Sequence, residues 1–271
     1  MFSQLQDTPF TQLKKTVEKI RNDKPLILNL TNSVTQDLMA NSLLALGCAP
    51  IMSNSADEVM ELAKVSGAIN INIGTLNENF MHIATAALTA NCPMVLDPVG
   101  CGATRLRTES AKILAPHAAI IRGNASEIMA MIGNAFTKGV ESLHASETSV
   151  ASAQQLSKTY GNVCVISGEV DYVIGGQTPS LATDARPLSY GSPLMARVTG
   201  MGCTLTAVIA AFHAVEEDAY TAAYLATAFM GLIGSQAARQ VFGPGSFRVA
   251  FIDGLYAPDW TFIEEELSHA S

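Results

Sequence analysis

Charge is what this chain of 271 residues has least of. Only 15% of its residues are Asp, Glu, Lys or Arg, against about a quarter in an average soluble domain. With 48% hydrophobic residues and a mean hydropathy of +0.25, that shortage raises the question of a membrane. A long apolar run is also lacking. A spanning helix needs ~18 or more consecutive apolar residues, and the best candidate, 204–215, is interrupted by His213 and followed by Glu216, Glu217 and Asp218. The opening stretch MFSQLQDTPFTQLKK carries an acid early and no apolar block ahead of a small-residue cleavage site, so no secretory signal is expected. The expectation is a cytoplasmic globular protein that buries an unusual share of itself.

Other absences narrow the function. Basic residues number 16 against 24 acidic ones, a net charge of −8, which is the wrong balance for a nucleic-acid footprint. The five cysteines, Cys48, Cys92, Cys101, Cys164 and Cys203, are odd in number and widely spaced. No pair has zinc or thioredoxin-like spacing, and they read as reduced thiols, mostly core fillers. The histidines at 82, 117, 144, 213 and 269 share no ligand spacing either. No G-x-x-x-x-G-K-[ST] occurs, no G-x-G-x-x-G follows the first strand-like run, and G-x-S-x-G is missing. P-loop NTPases, dinucleotide dehydrogenases and nucleophile-elbow hydrolases are therefore unsupported.

What is present is an alternation. Apolar runs of strand length occupy 26–30, 49–53, 68–73, 94–97, 118–122 and 163–167, mostly without period-2 patterning, as expected of strands covered on both faces. Between them, 36–46, 57–65, 77–90, 108–114, 126–132 and 151–159 have helical character. This order predicts an α/β fold with a mostly parallel central sheet and helices on both faces. Residues 172–176 and 181–190 break the rhythm and predict a meander or antiparallel edge. The segment 139–150, rich in Ser, Thr and acid, reads as a loop insertion too short for a linker. Residues 203–241 read as two helices, apolar nearly all round, packed inside the domain or against another subunit. With no repeat and no linker, residues 1–271 are expected to form one domain.

Ligands of open parallel sheets bind at the carboxyl ends of the strands. Polar residues collect there: Asp97-Pro98-Val99-Gly100-Cys101-Gly102, Arg122-Gly123-Asn124-Ala125-Ser126-Glu127, and Ser167-Gly168-Glu169-Val170-Asp171. A fourth element, Thr199-Gly200-Met201-Gly202-Cys203-Thr204, opens the long apolar helix. Two glycines before a helix form a turn whose free N–H groups favour an anion. There the helix dipole is expected to lower the Cys203 pKa. The same residues also describe a tight turn into a buried helix with an inert cysteine. Asn124 and Glu127 fit a capping box, and Glu127 equally fits a carboxylate holding Mg²⁺ through water. Arg122, ending a buried strand, suits a phosphate. Asp97 is a candidate second metal-side acid, or simply the start of an Asp-Pro turn.

Taken in order, Thr31-Asn32-Ser33-Val34, Ala45-Leu46-Gly47-Cys48-Ala49-Pro50-Ile51-Met52, Asn72-Ile73-Gly74-Thr75, Leu96-Asp97-Pro98-Val99-Gly100, the stretches 121–127 and 167–171, Gly200-Met201-Gly202-Cys203 and Gly243-Pro244-Gly245-Ser246-Phe247 resemble the hydroxyethylthiazole kinases. The resemblance runs from about residue 25 to residue 250. It implies a ribokinase-like fold and phosphorylation of the primary alcohol of 4-methyl-5-(2-hydroxyethyl)thiazole by Mg²⁺ and ATP, in thiamine salvage. It further implies that Met52, Gly200 and Asn32 lie on the thiazole side and that Arg122 and Ser167 contact ATP. Asp97 and Glu127 would flank Mg²⁺, Cys203 would stand at the catalytic position, and a homotrimer would carry its sites at subunit interfaces. Two residues depart from the family's habit: Ser167, where Thr is frequent, and Met201, where a smaller residue is frequent. Rival readings are a hydroxymethylpyrimidine kinase of the same fold, disfavoured by Cys203 in place of Asp, and a nucleotide-binding regulator, disfavoured by Asp97, Glu127 and Cys203 together.

Overall fold

The apolar runs become the strands of one sheet. The computed structural model describes residues 8–133, 142–175, 185–239 and 241–269. Its elements are α1 (Pro9–Asp23), β1 (Leu26–Leu30), α2 (Gln36–Leu46), β2 (Ala49–Met52), α3 (Ala56–Val65), β3 (Ala68–Asn72), α4 (Glu78–Ala87) and β4 (Met94–Asp97). Next come α5 (Arg105–Leu114), β5 (Ile120–Asn124), α6 (Ala125–Met131), α7 (Ser142–Tyr160), β6 (Val163–Ser167), β7 (Asp171–Gly175) and β8 (Arg186–Leu188). Four helices close the chain: α8 (Met201–His213), α9 (Ala219–Ala238), α10 (Pro244–Tyr256) and α11 (Trp260–His269).

The eight strands lie in the order β2-β1-β3-β4-β5-β6-β7-β8. Pairings from β2 through β6 are parallel, while β6–β7 and β7–β8 are antiparallel. This is the mostly parallel α/β sheet expected, with its antiparallel edge. Residues 176–184, between β7 and β8, lie outside the described residues, as do 139–141.

Successive strand side chains alternate between the two faces, and the core divides accordingly. Ile27, Ala68, Val95, Ile120, Val163, Val165 and Val173 pack on one face with α1, α2 and the last four helices. Leu28, Ile69, Leu96, Ile121, Cys164, Ile166 and Ile174 pack on the other with residues of α3 to α7. Helices α8 and α9 run through the first layer, where the fully buried rings of Phe212 and Phe229 pack at a tilt, 5.9 Å between centroids. A helix enclosed on all sides has no polar face to show, which accounts for the uniform apolarity of 203–241.

Three expectations need correction. Helix α7 begins at Ser142, so 142–150 is helix rather than loop. Further along the helix Ser152 Oγ bonds back to the Thr148 carbonyl at 2.8 Å, and Ser149 and Ser152 are buried. Packing against the sheet overrides weak propensity. Strand β5 runs from Ile120 to Asn124, two residues later than expected, because a 3₁₀ turn at Ala115–His117 carries α5 further down the chain. Helices α1, α10 and α11 were not among the expected elements.

Candidate active site

The alternation that sorts the core also sorts the polar residues. Asn29 shares its face with Ile27, Asn70 and Asn72 with Ala68, Asp97 with Val95, Arg122 with Ile120, and Ser167 with Val165. All therefore face α8. Asn72, Asp97, Arg122 and Ser167 stand at or near the carboxyl ends of their strands, where α8 begins.

Helix α8 begins in a turn that only glycine fits. Gly200, its N-cap, has φ +91°, and a Cβ there would lie 2.7 Å from Thr35 Cγ2. A Cβ on Gly202 would lie 2.5 Å from Arg122 Nη2 and 2.9 Å from Cζ. The guanidinium of Arg122 thus lies directly on the first turn of α8. Two positive features, a helix N-terminus and an arginine, face one space, which is an arrangement an anion resolves. Arg122 is 8% exposed; its Nη2 donates to Ser167 Oγ, and its Nη1 lies 3.4 Å from Asp97 Oδ2.

Asp97 is fully buried, and its two oxygens differ. Oδ2 accepts from Asn72 Nδ2 at 2.8 Å and Thr206 Oγ1 at 2.8 Å, and sits beside Arg122. Oδ1 has no partner. Burial pushes the carboxyl up to about 6; Arg122, Thr206 and Asn72 oppose that rise and Glu127 adds to it. Other buried polar atoms without a hydrogen-bond partner gather around the same turn: Arg122 Nε, Thr35 Oγ1 and Thr204 Oγ1. Buried polar groups are normally paired, so the cluster marks a place made for a polar ligand.

Cys203 lies in the first turn of α8, with its Sγ 3.5 Å from Asn32 Nδ2. Asn32 Nδ2 also donates to Asn72 Oδ1 at 2.8 Å, which joins the cysteine to the Asp97 cluster. The expected depression of the Cys203 pKa is not found. Burial pushes the thiol up and Asp97 adds to that; Asn72, Arg122 and Asn32 pull it down by less. The dipole argument took account of the helix and left out desolvation and the buried carboxylate.

Glu127 forms the capping box in full: Asn124 Oδ1 accepts from Glu127 N at 3.0 Å and Glu127 Oε2 from Asn124 N at 2.8 Å. Its Oε1 accepts from Gly100 N at 2.8 Å, tying the loop after β4 to α6. Among the described residues no group of three or more His, Cys, Asp or Glu is placed to hold a metal. Mg²⁺ needs no such cage, since it keeps several waters and binds through one or two carboxylates and substrate phosphates. The partnerless Oδ1 of Asp97, with Glu127 nearby, fits that requirement.

Met52 ends β2 at the sheet edge. Strands β1 and β3 separate it from β4, which at ~4.8 Å per step puts it roughly 14 Å from Asp97. Met201, a departure in the turn, is 5% exposed and packs into the core. A concavity of about 340 Å³ near the turn is lined by Val34, Leu38, Arg197, Thr199, Pro244 and Arg248 among others. It is not lined by Asp97, Arg122 or Cys203, and the buried partnerless atoms locate the chemistry better than this opening does.

Three residues of the cluster escaped sequence reasoning as individual participants. Asn72 was visible only as part of a motif. Thr206 sits one helical turn beyond Cys203, and the i, i+3 spacing was the signal for it. Arg107 donates to the carbonyls of Ile73 at 2.9 Å, Gly74 at 2.8 Å and Val99 at 2.7 Å, clamping the loops after β3 and β4. It carried no signal beyond being a basic residue in the first turn of a helix.

Comparison with known proteins identifies the family and the fold. A sequence model described as the hydroxyethylthiazole kinase family matches residues 17–259. The chain is 41% identical over 266 residues to a hydroxyethylthiazole kinase of Leptospira biflexa, covering 94% of this chain and 97% of that one. Among solved structures, hydroxyethylthiazole kinase protein from Pyrococcus horikoshii superposes with a TM-score of 0.82 at 29% identity, covering 93% of this chain and 95% of that one. A ribokinase-like superfamily protein from Enterococcus faecalis shares the fold, with a TM-score of 0.64 at 13% identity over 93% of this chain and 94% of that one.

Proposed function

The chain belongs to the hydroxyethylthiazole kinase family, and from that premise we propose how its own residues perform the reaction. It transfers the terminal phosphoryl group of ATP to the primary hydroxyl of the thiazole alcohol, a step of thiamine salvage. The observation that carries the assignment to this site is the guanidinium of Arg122 lying on the glycine turn at the head of α8.

Phosphoryl transfer asks little covalent chemistry of a protein; it asks for alignment and charge stabilisation. Arg122 and the first free N–H groups of α8 hold the transferring phosphoryl group, and Ser167 steadies Arg122 from β6 while bordering the ATP site. Asp97, whose Oδ1 is without a partner, and Glu127 would hold Mg²⁺, which would supply neutralisation of charge on the ATP phosphates. Cys203, raised above the ordinary thiol range by burial, is protonated at neutral pH. In a loose transition state the hydroxyl proton leaves late, so the neutral Cys203 thiol serves by orienting the alcohol, and the proton passes to an oxygen of the transferred phosphoryl group as transfer proceeds. Asn32 holds that thiol in place, and Gly200 leaves the backbone open to the substrate.

Met52 ends the edge strand β2, a position that suits a site completed at a subunit boundary. We infer a homotrimer of single-domain chains. The support is an edge strand, β2, left half-exposed, with Val34, Leu44, Met60 and Val65 exposed on neighbouring segments. Among the described residues no helix is long and apolar enough to cross a membrane, in keeping with a cytoplasmic setting. The function is tested by ADP release with the thiazole alcohol and with hydroxymethylpyrimidine, measured side by side. Faster turnover with the thiazole is expected; preference for the pyrimidine overturns the substrate assignment.

A further inference from the structure

The carboxylate of Asp97 is held with an asymmetry the reaction itself does not require. Asn72 and Thr206 both bond Oδ2, at 2.8 Å each, and Arg122 Nη1 lies on the same oxygen, while Oδ1 is buried without a partner. Neither donor is free to turn. Asn72 is fully buried, and its own Oδ1 is occupied by Asn32 Nδ2 at 2.8 Å and Gly74 N at 2.9 Å, which fixes the amide with its NH₂ toward Asp97. Thr206 is fully buried on α8. Its single hydroxyl proton has a choice between Asp97 Oδ2 at 2.8 Å and the Gly202 carbonyl at 3.4 Å. The shorter, charge-assisted bond wins.

We propose that Asn72 and Thr206 are positioning residues: they pin Oδ2 so that Oδ1 is the oxygen presented to the metal, and so set Mg²⁺-dependent nucleotide affinity. The two come from different elements, the end of β3 and the second turn of α8, so the pin also fixes the height of the glycine turn above the sheet. This rests on the reading of Asp97 as the metal-side acid. Without the donors the carboxylate can rotate about χ2, and Oδ1 turns toward Arg122, where a cation is disfavoured.

The test is calorimetric titration of ADP into the full-length protein with and without Mg²⁺, reading the ratio of the two dissociation constants rather than turnover. Thr206→Val keeps the side-chain shape and removes the donor; Thr206→Ser keeps the donor. Asp97→Asn serves as control for the underlying reading, and melting temperatures accompany all three. Expected is a roughly tenfold smaller Mg²⁺ enhancement in Thr206→Val, equivalent to ~1.4 kcal/mol, with ADP affinity in the absence of metal unchanged. Thr206→Ser is expected to restore the enhancement. Asn72→Leu should repeat the Thr206→Val result from the other element. If Asp97→Asn abolishes the enhancement while Thr206→Val leaves it intact, positioning is overturned and the metal-side reading stands. If Asp97→Asn leaves the enhancement intact, the metal-side reading itself fails and the proposal with it. Equal losses in Thr206→Val and Thr206→Ser, tracking a lower melting temperature, overturn positioning in favour of packing.

Discussion

At the scale of single residues the site is a contest between desolvation and hydrogen bonding, and the outcome differs from group to group. Cys203 illustrates it: the helix start favours a thiolate, but burial and Asp97 win. A protonated thiol that acts only as the alcohol reacts has a signature. Cys203→Ala should bind ADP within a factor of about two of the wild type while turnover falls by about tenfold or more, because the lost interaction belongs to the transition state; isothermal titration and steady-state assay together read this. Asp171 makes the complementary case. Its carboxylate accepts from Gly168 N at 2.9 Å, yet burial raises it to about 6 from 3.8. A raised carboxylate keeps its proton in the folded state, so its contribution to stability is complete below about pH 4 and is lost as pH rises to about 6. Asp171→Asn keeps the acceptor and removes the charge. Its melting temperature should overtake that of the wild type across that window and stay ahead by ~1–3 kcal/mol equivalent at pH 8; parallel curves in thermal melts would contradict this. Residue types at strand ends were readable in the sequence because Asp, Arg and Ser interrupt apolar runs there. Hydrogen-bond partners such as Thr206 and Arg107 were not, since they reach the site from other elements.

At the scale of elements the glycine turn joins sheet to helix. Gly202 has a backbone any residue could adopt, so its constraint is the Arg122 guanidinium rather than φ. Gly202→Ala should leave the melting temperature within about 2 °C, since the obstructed atoms end a long side chain and Ala favours the helix. It should weaken ADP binding about tenfold by pushing Arg122 off the helix start. Gly200→Ala should differ, costing ~1–3 kcal/mol of stability through its φ of +91° and the contact with Thr35. Comparing the two in thermal melts and ADP titrations separates a binding constraint from a folding one. The strands and central helices were legible because a sheet covered on both faces leaves apolar runs of strand length. Helix α7 was only half legible: its Ser149 and Ser152 are buried and Ser152 Oγ bonds back to the Thr148 carbonyl, contacts that leave no apolar pattern. Strand β5 was displaced by two residues because a 3₁₀ turn leaves no apolar pattern.

At the scale of the molecule, the shortage of charge has two sources. One is internal: α8 and α9 fill a layer beneath the sheet and need no polar face. The other is proposed, the exposed apolar residues around β2, α2 and α3 being covered by neighbouring subunits. Light scattering on the eluting protein should then give the mass of three chains, and a monomer mass would contradict the shared site. The site and the fold meet in one reaction, and its products test the account most directly. The protein is incubated with ATP, Mg²⁺ and the thiazole alcohol, and ADP and phosphomonoester are counted together by phosphorus NMR. One new phosphomonoester per ADP is the predicted result, while ADP without the ester, or neither product, would contradict it.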